Sequence, residues 1–272
     1  MENQIQVMAS DALEAMNRSE MDVQIVTAKR FPRNLNNALN QIKTIAAHDP
    51  QTAAECFYSL PRGGNVIEGL SVRMAEIIAG AWGNLRVASR VIGNDGKILT
   101  AQAVCIDLEN NLAVSKEVKR RITDKYGKTF NEDMQVVTGN AACSIAFRNA
   151  VLSVVPKAVT KQVIDEIKAV AIGQAKDITS MREATIKWFA GKGIPEKDLL
   201  EWRGIKNREE LSQEDLFELR GLCNAINEGS TSIEESIIEP LRKARIEVEA
   251  AKKATKNSNK VAESMKGNGK EE

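Results

Sequence analysis

Six cations lie within the thirteen residues 116–128, which contain only two carboxylates, those of Glu117 and Asp124. The six are Lys116, Lys119, Arg120, Arg121, Lys125 and Lys128. Closely spaced ammonium and guanidinium groups neutralise the phosphates of nucleic acids, and Tyr126, which stands among them, could stack on a base. The pattern favours a site that holds the backbone of single-stranded DNA. A strand edge whose lysines stay in water and prevent aggregation would account for the same run equally well.

Two arginines, Arg73 and Arg148, occur in predicted helices on or beside the apolar side. Arg148, for example, is in register with Ile145 and Leu152. A charge in such a position is costly unless the side chain reaches water or meets an anion. That anion could be a DNA phosphate, or it could be a buried carboxylate of the same chain such as Glu76. The sequence leaves both alternatives open.

A second chemistry is suggested by Asp107 and the following Glu117-Val118-Lys119, which resemble the D…ExK pattern of metal-dependent nucleases. In such sites the carboxylates hold Mg²⁺ and the lysine steadies the attacking water. The pattern is short, and no proline precedes Asp107. We therefore keep a Mg-dependent nuclease using Asp107, Glu117 and Lys119 as an alternative function. A non-catalytic scaffold protein that does not bind DNA is a further alternative.

The remaining reactive residues give little support to other enzymes or to cofactors. There is one histidine, His48, and the four cysteines form no CxxC pair, which excludes a zinc finger or ribbon. Gly63-Gly64 is not followed by the Gly-Lys-Ser/Thr of a phosphate-binding loop. We therefore expect a protein that is not an enzyme and needs no cofactor or metal. The scattered cysteines, and the absence of a signal peptide or a membrane-spanning apolar run, favour the cytoplasm.

The basic run belongs to a predicted β-meander, residues 84–122, on which we expect the rest of the chain to fold. Three runs of β-prone residues are separated at 93–96 and 109–111 by Gly, Asn and Asp, which tolerate positive φ and close tight hairpins. Periodicity and composition predict the flanking elements, which are a helix over 34–48, a strand over 53–60, and helices over 67–82 and 138–155. The last helix is rich in small residues and should lie close to a sheet. The net charge is only +1, so attraction to DNA has to be local.

Composition divides the chain into an N-terminal arm, a core, a helical module and a tail. The predicted bounds are 1–28, 29–176, 177–251 and 252–272. Pro195 and Ser212 mark the starts of two short helices within the module. The tail has few bulky apolar residues and should be disordered. The predicted fold class is α+β, with an antiparallel β-meander or hairpin packed against helices and followed by a small all-helical C-terminal module.

Four segments in this order resemble one protein family. They are TAKRFPRN at 27–34, YSLPRGGNVIEGLSVRMAEIIAGAWGN at 58–84, VSKEVKRRITDKYGKTFNED at 114–133 and NAACSIAFRNAVLSVVPKA at 140–158. Together they look like the single-strand annealing recombinases of phages and prophages, the Redβ/RecT/Erf superfamily. The resemblance spans about 27–176.

This resemblance implies an ATP-independent protein of the bacterial cytoplasm that coats single-stranded DNA and pairs it with its complement. It also implies a homo-oligomer, a ring or a helical filament, and an exonuclease or host single-strand binding protein that docks on 177–251. The DNA-binding residues that it implies are Arg73, Lys116, Lys119, Arg120, Arg121, Lys125, Lys128 and Arg148. Two further candidates are Arg62, in the Pro-Arg-Gly-Gly turn, and Lys157, at the start of a helix.

Overall fold

The computed structural model describes residues 2–62, 65–173 and 178–252, with side chains from residue 15 onward. Its fold is α+β, as predicted, with a two-stranded and a three-stranded antiparallel sheet packed against helices. The strands are β1 Phe57–Arg62, β2 Asn65–Leu70, β3 Leu85–Asn94, β4 Ile98–Asp107 and β5 Leu112–Arg121. The helices of the N-terminal half are α1 Glu2–Arg30, α2 Leu35–Ala46, α3 Pro50–Glu55 and α4 Val72–Trp82. The later helices are α5 Glu132–Val154, α6 Lys157–Gly173, α7 Ile178–Gly191, α8 Glu196–Arg203, α9 Gln213–Asn227 and a helix over 233–252 that contains a π turn at Glu234–Ile238.

The three-stranded sheet is the predicted meander, with strand order β3-β4-β5. Gly96 in the first turn and Asn111 in the second have φ of 85° and 52°. These are the positive values that the turn residues were expected to supply. The register has one irregularity, between Val91 and Gly93, where β3 carries a bulge against β4.

Helix α5 covers one face of the meander at short range. Alternate residues of β4 are buried on this face, namely Leu99, Ala101, Ala103 and Cys105. On the α5 side, Ala142 is fully buried in one apolar cluster with Leu99 and Ala101, and Ala146 is fully buried in another with Ala103 and Cys105. The expectation that small residues let this helix approach a sheet is therefore confirmed.

The segment before the meander differs from its prediction in two places. The helix predicted over 34–48 ends at Ala46, and Asp49-Pro50 starts α3, because the Asp49 carboxylate accepts hydrogen bonds from the next turn and Pro50 occupies the first position. The strand predicted over 53–60 therefore begins only at Phe57. The first residues of the helix predicted over 67–82 form β2 instead.

The β1–β2 hairpin explains why the apolar spacing was misleading there. Leu70 opposes Phe57 across the hairpin, so its apolar side chain belongs to a strand. Helix α4 begins after Ser71, whose hydroxyl accepts a hydrogen bond from the amide of Met74 at 3.2 Å. A capping serine inside an apolar run thus marks a helix start that periodicity placed too early.

The residues divide into two compact units. The first comprises Met1–Lys176 and Phe217–Ser230, and the second comprises Asp177–Leu216 and Thr231–Glu272. The sequence predicted a single helical module over 177–251, whereas the structure groups 217–230 with the meander. The reason is packing. The centres of the Phe217 and Phe57 rings lie 5.5 Å apart. The side-chain amide of Asn224 donates to the backbone carbonyls of Ala54 and Phe57.

The second unit has its own core, which includes Phe189, Leu199 and Leu211. Ser212 caps the start of α9 as predicted, because its hydroxyl accepts from the amide of Asp215 and the Asp215 carboxylate accepts in return. The predicted tail, 252–272, lies outside the described residues except for its first residue.

The N-terminal segment is helical from Glu2 to Arg30, where the sequence predicted a loosely docked arm over 1–28. Its described side chains include a hydrogen bond from Arg86 of β3 to Gln24 at 2.9 Å. Among the described residues, no single helix has both the length and the apolar content to span a membrane. The pair α5 and α6 meets those criteria only when taken together, and it is bent by 117°.

Candidate nucleic-acid interface

The basic run is divided between the two faces of the meander. Side chains alternate along β5, so Lys116 and Arg120 lie on the side of α5, while Lys119 and Arg121 lie on the opposite side. The sequence grouped these residues as one cationic edge. The structure instead gives two cations to each face, and their surroundings differ.

Lys119 and Arg121 are exposed on the face of the sheet opposite α5. Their cross-strand neighbours on β4 are Thr100 and Ile98. Arg90 of β3 projects from the same face, opposite Gln102. This open face is therefore formed largely by polar and cationic side chains at one end of the sheet.

A hydrogen-bonded turn extends the same end of the sheet beyond β5. Thr123 and Thr129 pair as an isolated β-bridge, and between them the Asp124 carboxylate accepts hydrogen bonds from the amides of Tyr126 and Lys128, both at 2.9 Å. The Thr129 hydroxyl also donates to the carbonyl of Gly96 at 2.8 Å, which fixes the turn to the β3–β4 hairpin. Tyr126 is 83% exposed at the tip of this turn.

We call this end of the meander the tip surface. It consists of Lys97, Lys119, Arg121, Lys125, Tyr126 and Lys128. Its five cations form no ion pair within the described part of the chain. The Lys125 ammonium lies 5.3 Å from the centre of the Tyr126 ring.

Two carboxylates near the tip surface, those of Asp95 and Asp124, accept hydrogen bonds from the backbone, and a third, that of Glu117, is exposed on the open face two residues from Lys119. Asp95 accepts from the amides of Ile98 and Lys97 at 2.6 and 2.8 Å, and these hydrogen bonds lower the pKa of the Asp95 carboxyl. Asp124 is occupied by the turn that presents Tyr126. The cations therefore remain available to an external anion.

Arg120 has a structural role instead. Its guanidinium donates to the backbone carbonyls of Gly229 and Ser230, just beyond the C-terminus of α9. The amides of Gly229 and Ser230 already donate to the last turn of α9, so Arg120 binds the segment that closes the helix, where a cation also opposes the helix dipole. Lys116, on the same face of β5, is exposed and lies opposite Ala103.

Arg73 and Arg148 both pair with carboxylates of the chain. Arg73 is exposed and lies 3.3 Å from Glu76, the partner that the sequence suggested. Arg148 is buried, its guanidinium lies 4.6 Å from the centre of the Tyr58 ring, and its carboxylate partner is Glu228 at 3.5 Å. Burial raises the pKa of Glu228, although the amide of Val72 and the charge of Arg148 act in the opposite direction.

The two remaining candidates lie away from the meander. Arg62 is exposed at the end of β1, next to residues 63–64, which are outside the described ranges. Lys157 is exposed at the first residue of α6. Neither is adjacent in the sheet register to the tip surface.

The nuclease alternative does not fit the sheet register. Asp107 opposes Leu112, so Glu117 is five residues further along β5, roughly 16 Å away. Asp107 is instead buried against Arg33, whose guanidinium donates to both carboxylate oxygens at 3.0 and 3.2 Å. Burial favours the protonated carboxyl of Asp107. The hydrogen bonds from the side chains of Arg33 and Asn110 and from the amide of Glu109 have the larger effect, and they lower the pKa of Asp107. No group of three or more His, Cys, Asp or Glu in the described ranges could hold a metal ion.

Arg33 was not singled out by the sequence as an important residue, and no local pattern could have identified it. Its partners include the carbonyls of Trp82 and Gly83 and the carboxylate of Asp107, all far away in the chain. Lys97 was also missed, although its position directly after the Asn94-Asp95-Gly96 turn could have shown that it lies at the end of a hairpin of the meander.

Comparison of the chain with family models, with curated proteins and with solved structures gave no match.

Proposed function

We propose that the protein binds single-stranded DNA through the tip surface and anneals complementary strands without ATP. The observation that carries this proposal is the combination of five cations free of ion pairs within the described chain with one exposed tyrosine held on a hydrogen-bonded turn. Cations that follow a backbone, together with an aromatic platform for a base, are the usual elements of single-strand binding without strong sequence preference. The segments that resemble the Redβ/RecT/Erf superfamily support the same function.

Annealing requires no covalent chemistry. Two strands repel each other through their phosphates, and bound cations lower that repulsion while the bases stay accessible for pairing. This role therefore needs neither a metal nor a nucleotide cofactor. It would operate in the cytoplasm of a bacterial cell.

Self-assembly into a ring or filament is part of the proposal. Met16, Val23 and Val26 of α1 are each more than 60% exposed, and seven- and ten-residue spacings bring them to one side of the helix. An exposed apolar stripe of this kind is suited to contact between subunits. Negative-stain images with and without complementary oligonucleotides would test assembly. Residues 177–251 are the proposed docking site for an exonuclease or host single-strand binding protein.

The binding test replaces Lys119, Arg121 and Lys125 together by Ala and measures the fluorescence anisotropy of a labelled oligonucleotide at several salt concentrations. Loss of three phosphate contacts should lower the slope of log K against log salt by roughly 2. Annealing, followed by energy transfer between complementary labelled strands without ATP, should be lost in parallel.

The matched control replaces three exposed lysines of the second unit, Lys187, Lys197 and Lys206, by Ala. It changes the net charge equally and should leave binding unchanged. If both triple variants weakened binding alike, the tip surface would not be the site. If the wild-type protein failed to bind at low salt, only the scaffold alternative would remain.

A further inference from the structure

Two arginines of the first unit are buried against an aromatic ring, but they differ in how far their N–H groups are satisfied. Arg33 lies 4.8 Å from the centre of the Trp82 ring and makes four side-chain hydrogen bonds of 2.9 to 3.2 Å. Arg148 is 8% exposed and makes only two, of 3.4 and 3.5 Å, to Asn149 and Glu228. A guanidinium carries five N–H donors, and a buried charge with so few short contacts is costly. Arg148 is thus arranged to receive a further anion.

Arg148 lines a pocket of about 480 Å³. This volume is within the range of small-molecule sites, roughly 300–1,000 Å³. Apolar side chains, including Leu70, Ile78 and Leu152, form part of the lining. The cations of the lining, besides Arg148, are Lys157, Lys161 and Lys168. A pocket with both kinds of lining can take a ligand that has an apolar part and an anionic part.

The charge balance of the pocket is positive. Two carboxylates, Glu68 and Asp165, also line it, and Glu68 is paired with Lys168. Lys157 and Lys161 are exposed and form no ion pair within the described residues. They lie in the first turns of α6, a helix of 17 residues whose dipole favours an anion at this end.

The β1–β2 hairpin holds the aromatic wall of the pocket in place. Tyr58 lies directly opposite Gly69, and a Cβ added at Gly69 would come within 2.6 Å of the Tyr58 ring. The missing side chain therefore gives the ring the space in which it stacks on Arg148.

We propose that this pocket binds the phosphate of a nucleotide. Arg148, Lys157 and Lys161 hold the phosphate, and the apolar lining contacts the sugar and base. The site is separate from the tip surface, because Arg148 is sixteen residues along α5 from its start, roughly 24 Å. It does not depend on the proposed annealing function. The nucleotide can be free or can be the terminal phosphate of a DNA strand.

The test measures binding of dAMP to the full chain by isothermal titration calorimetry, with deoxyadenosine as the ligand that lacks the phosphate. We expect saturable binding of dAMP and none of deoxyadenosine. Replacing Lys157 and Lys161 together by Ala should weaken dAMP binding by about tenfold or more. Both residues are exposed, so this variant should fold.

Variants at Arg148 and at the tip surface complete the test. Arg148→Lys keeps the charge paired with Glu228 but loses the planar fork of donors, and it should also weaken dAMP binding. The double variant Lys119→Ala and Arg121→Ala should leave dAMP binding unchanged while it reduces oligonucleotide binding. The pocket proposal and the tip-surface proposal can therefore be refuted independently. The proposal is overturned if dAMP does not bind, if deoxyadenosine binds equally well, or if the Lys157/Lys161 variant binds dAMP like the wild type.

Oligonucleotides with a 5′-phosphate or a 5′-hydroxyl identify the source of the ligand. If the pocket takes a strand end, the phosphorylated oligonucleotide displaces dAMP more effectively than the other does. If the pocket takes a free nucleotide, the two oligonucleotides compete equally weakly. Either result supports the phosphate site once dAMP binding has been shown.

Discussion

Tyr126 is the residue whose exposure is hardest to explain by folding alone. Its ring is 83% exposed, although three hydrogen bonds and a β-bridge fix the turn that carries it. Ordering an exposed aromatic side chain beside Lys125 and Lys128 is consistent with stacking on a base.

We predict that Tyr126→Ala weakens oligonucleotide binding by about 1–3 kcal/mol, the contribution of stacking on one base. Tyr126→Phe keeps the ring and should bind like the wild type. Fluorescence anisotropy at one salt concentration measures both. Equal losses in the two variants would point to the hydroxyl rather than to stacking.

Asp107, unlike Tyr126, is buried, and both oxygens of its carboxylate accept hydrogen bonds from side chains of the same chain. We predict that Asp107→Ala lowers the free energy of unfolding by about 3 kcal/mol, since it removes the closer of the two carboxylates that pair with the buried Arg33 and leaves only Glu109, at 3.7 Å. Urea denaturation followed by circular dichroism measures this loss. Glu117→Ala, at the other carboxylate of the D…ExK pattern, is exposed and should change stability by less than about 0.5 kcal/mol.

The lowered pKa of Asp107 also predicts a pH dependence. The stabilisation by the ionised carboxylate is fully present above the pKa of the unfolded chain, and it is lost as the pH falls through the lower pKa of the folded state. The wild type should therefore lose stability in acid more steeply than Asp107→Asn. Parallel curves for the two proteins would contradict this assignment.

At the scale of the elements, α9 packs closely against β1 at Gly221. A Cβ added at Gly221 would lie 2.8 Å from the backbone nitrogen of Ser59, whereas one added at Gly139 of α5 would make ordinary contacts. We predict that Gly221→Ala destabilises the protein by about 1–3 kcal/mol. Gly139→Ala, the same change within another helix, should be neutral or stabilising by up to about 1 kcal/mol. Urea denaturation compares the two, and equal effects would show that α9 does not pack as described.

The local elements were largely predictable from the sequence, and the long-range pairings were not. The meander and its turns follow from Gly, Asn and Asp at fixed places, and α5 follows from its small residues. By contrast, the division of Lys119 and Arg120 between two faces requires the register of β5, which a basic run alone does not define. The partner of Arg148 is eighty residues away, so burial of the arginine could be inferred but Glu228 could not.

At the scale of the whole molecule, the first unit is built from two stretches of chain. We predict that a fragment ending at residue 176 is less stable and more prone to aggregate than one ending at residue 230, because it lacks Phe217, Asn224 and Glu228. Thermal unfolding and size-exclusion chromatography of the two fragments measure the difference. Equal behaviour would mean that 217–230 contributes little to the first unit.

This arrangement has a consequence for synthesis on the ribosome. The meander and its helices emerge well before α9, whose Phe217 packs on Phe57, and before Gly229 and Ser230, whose carbonyls accept hydrogen bonds from Arg120. At roughly 5–20 residues per second, the interval between residues 176 and 230 lasts about 3–11 s. During that time Phe57 and Arg120 lack the contacts that residues 217–230 supply, so the nascent chain exposes apolar surface that the finished first unit covers.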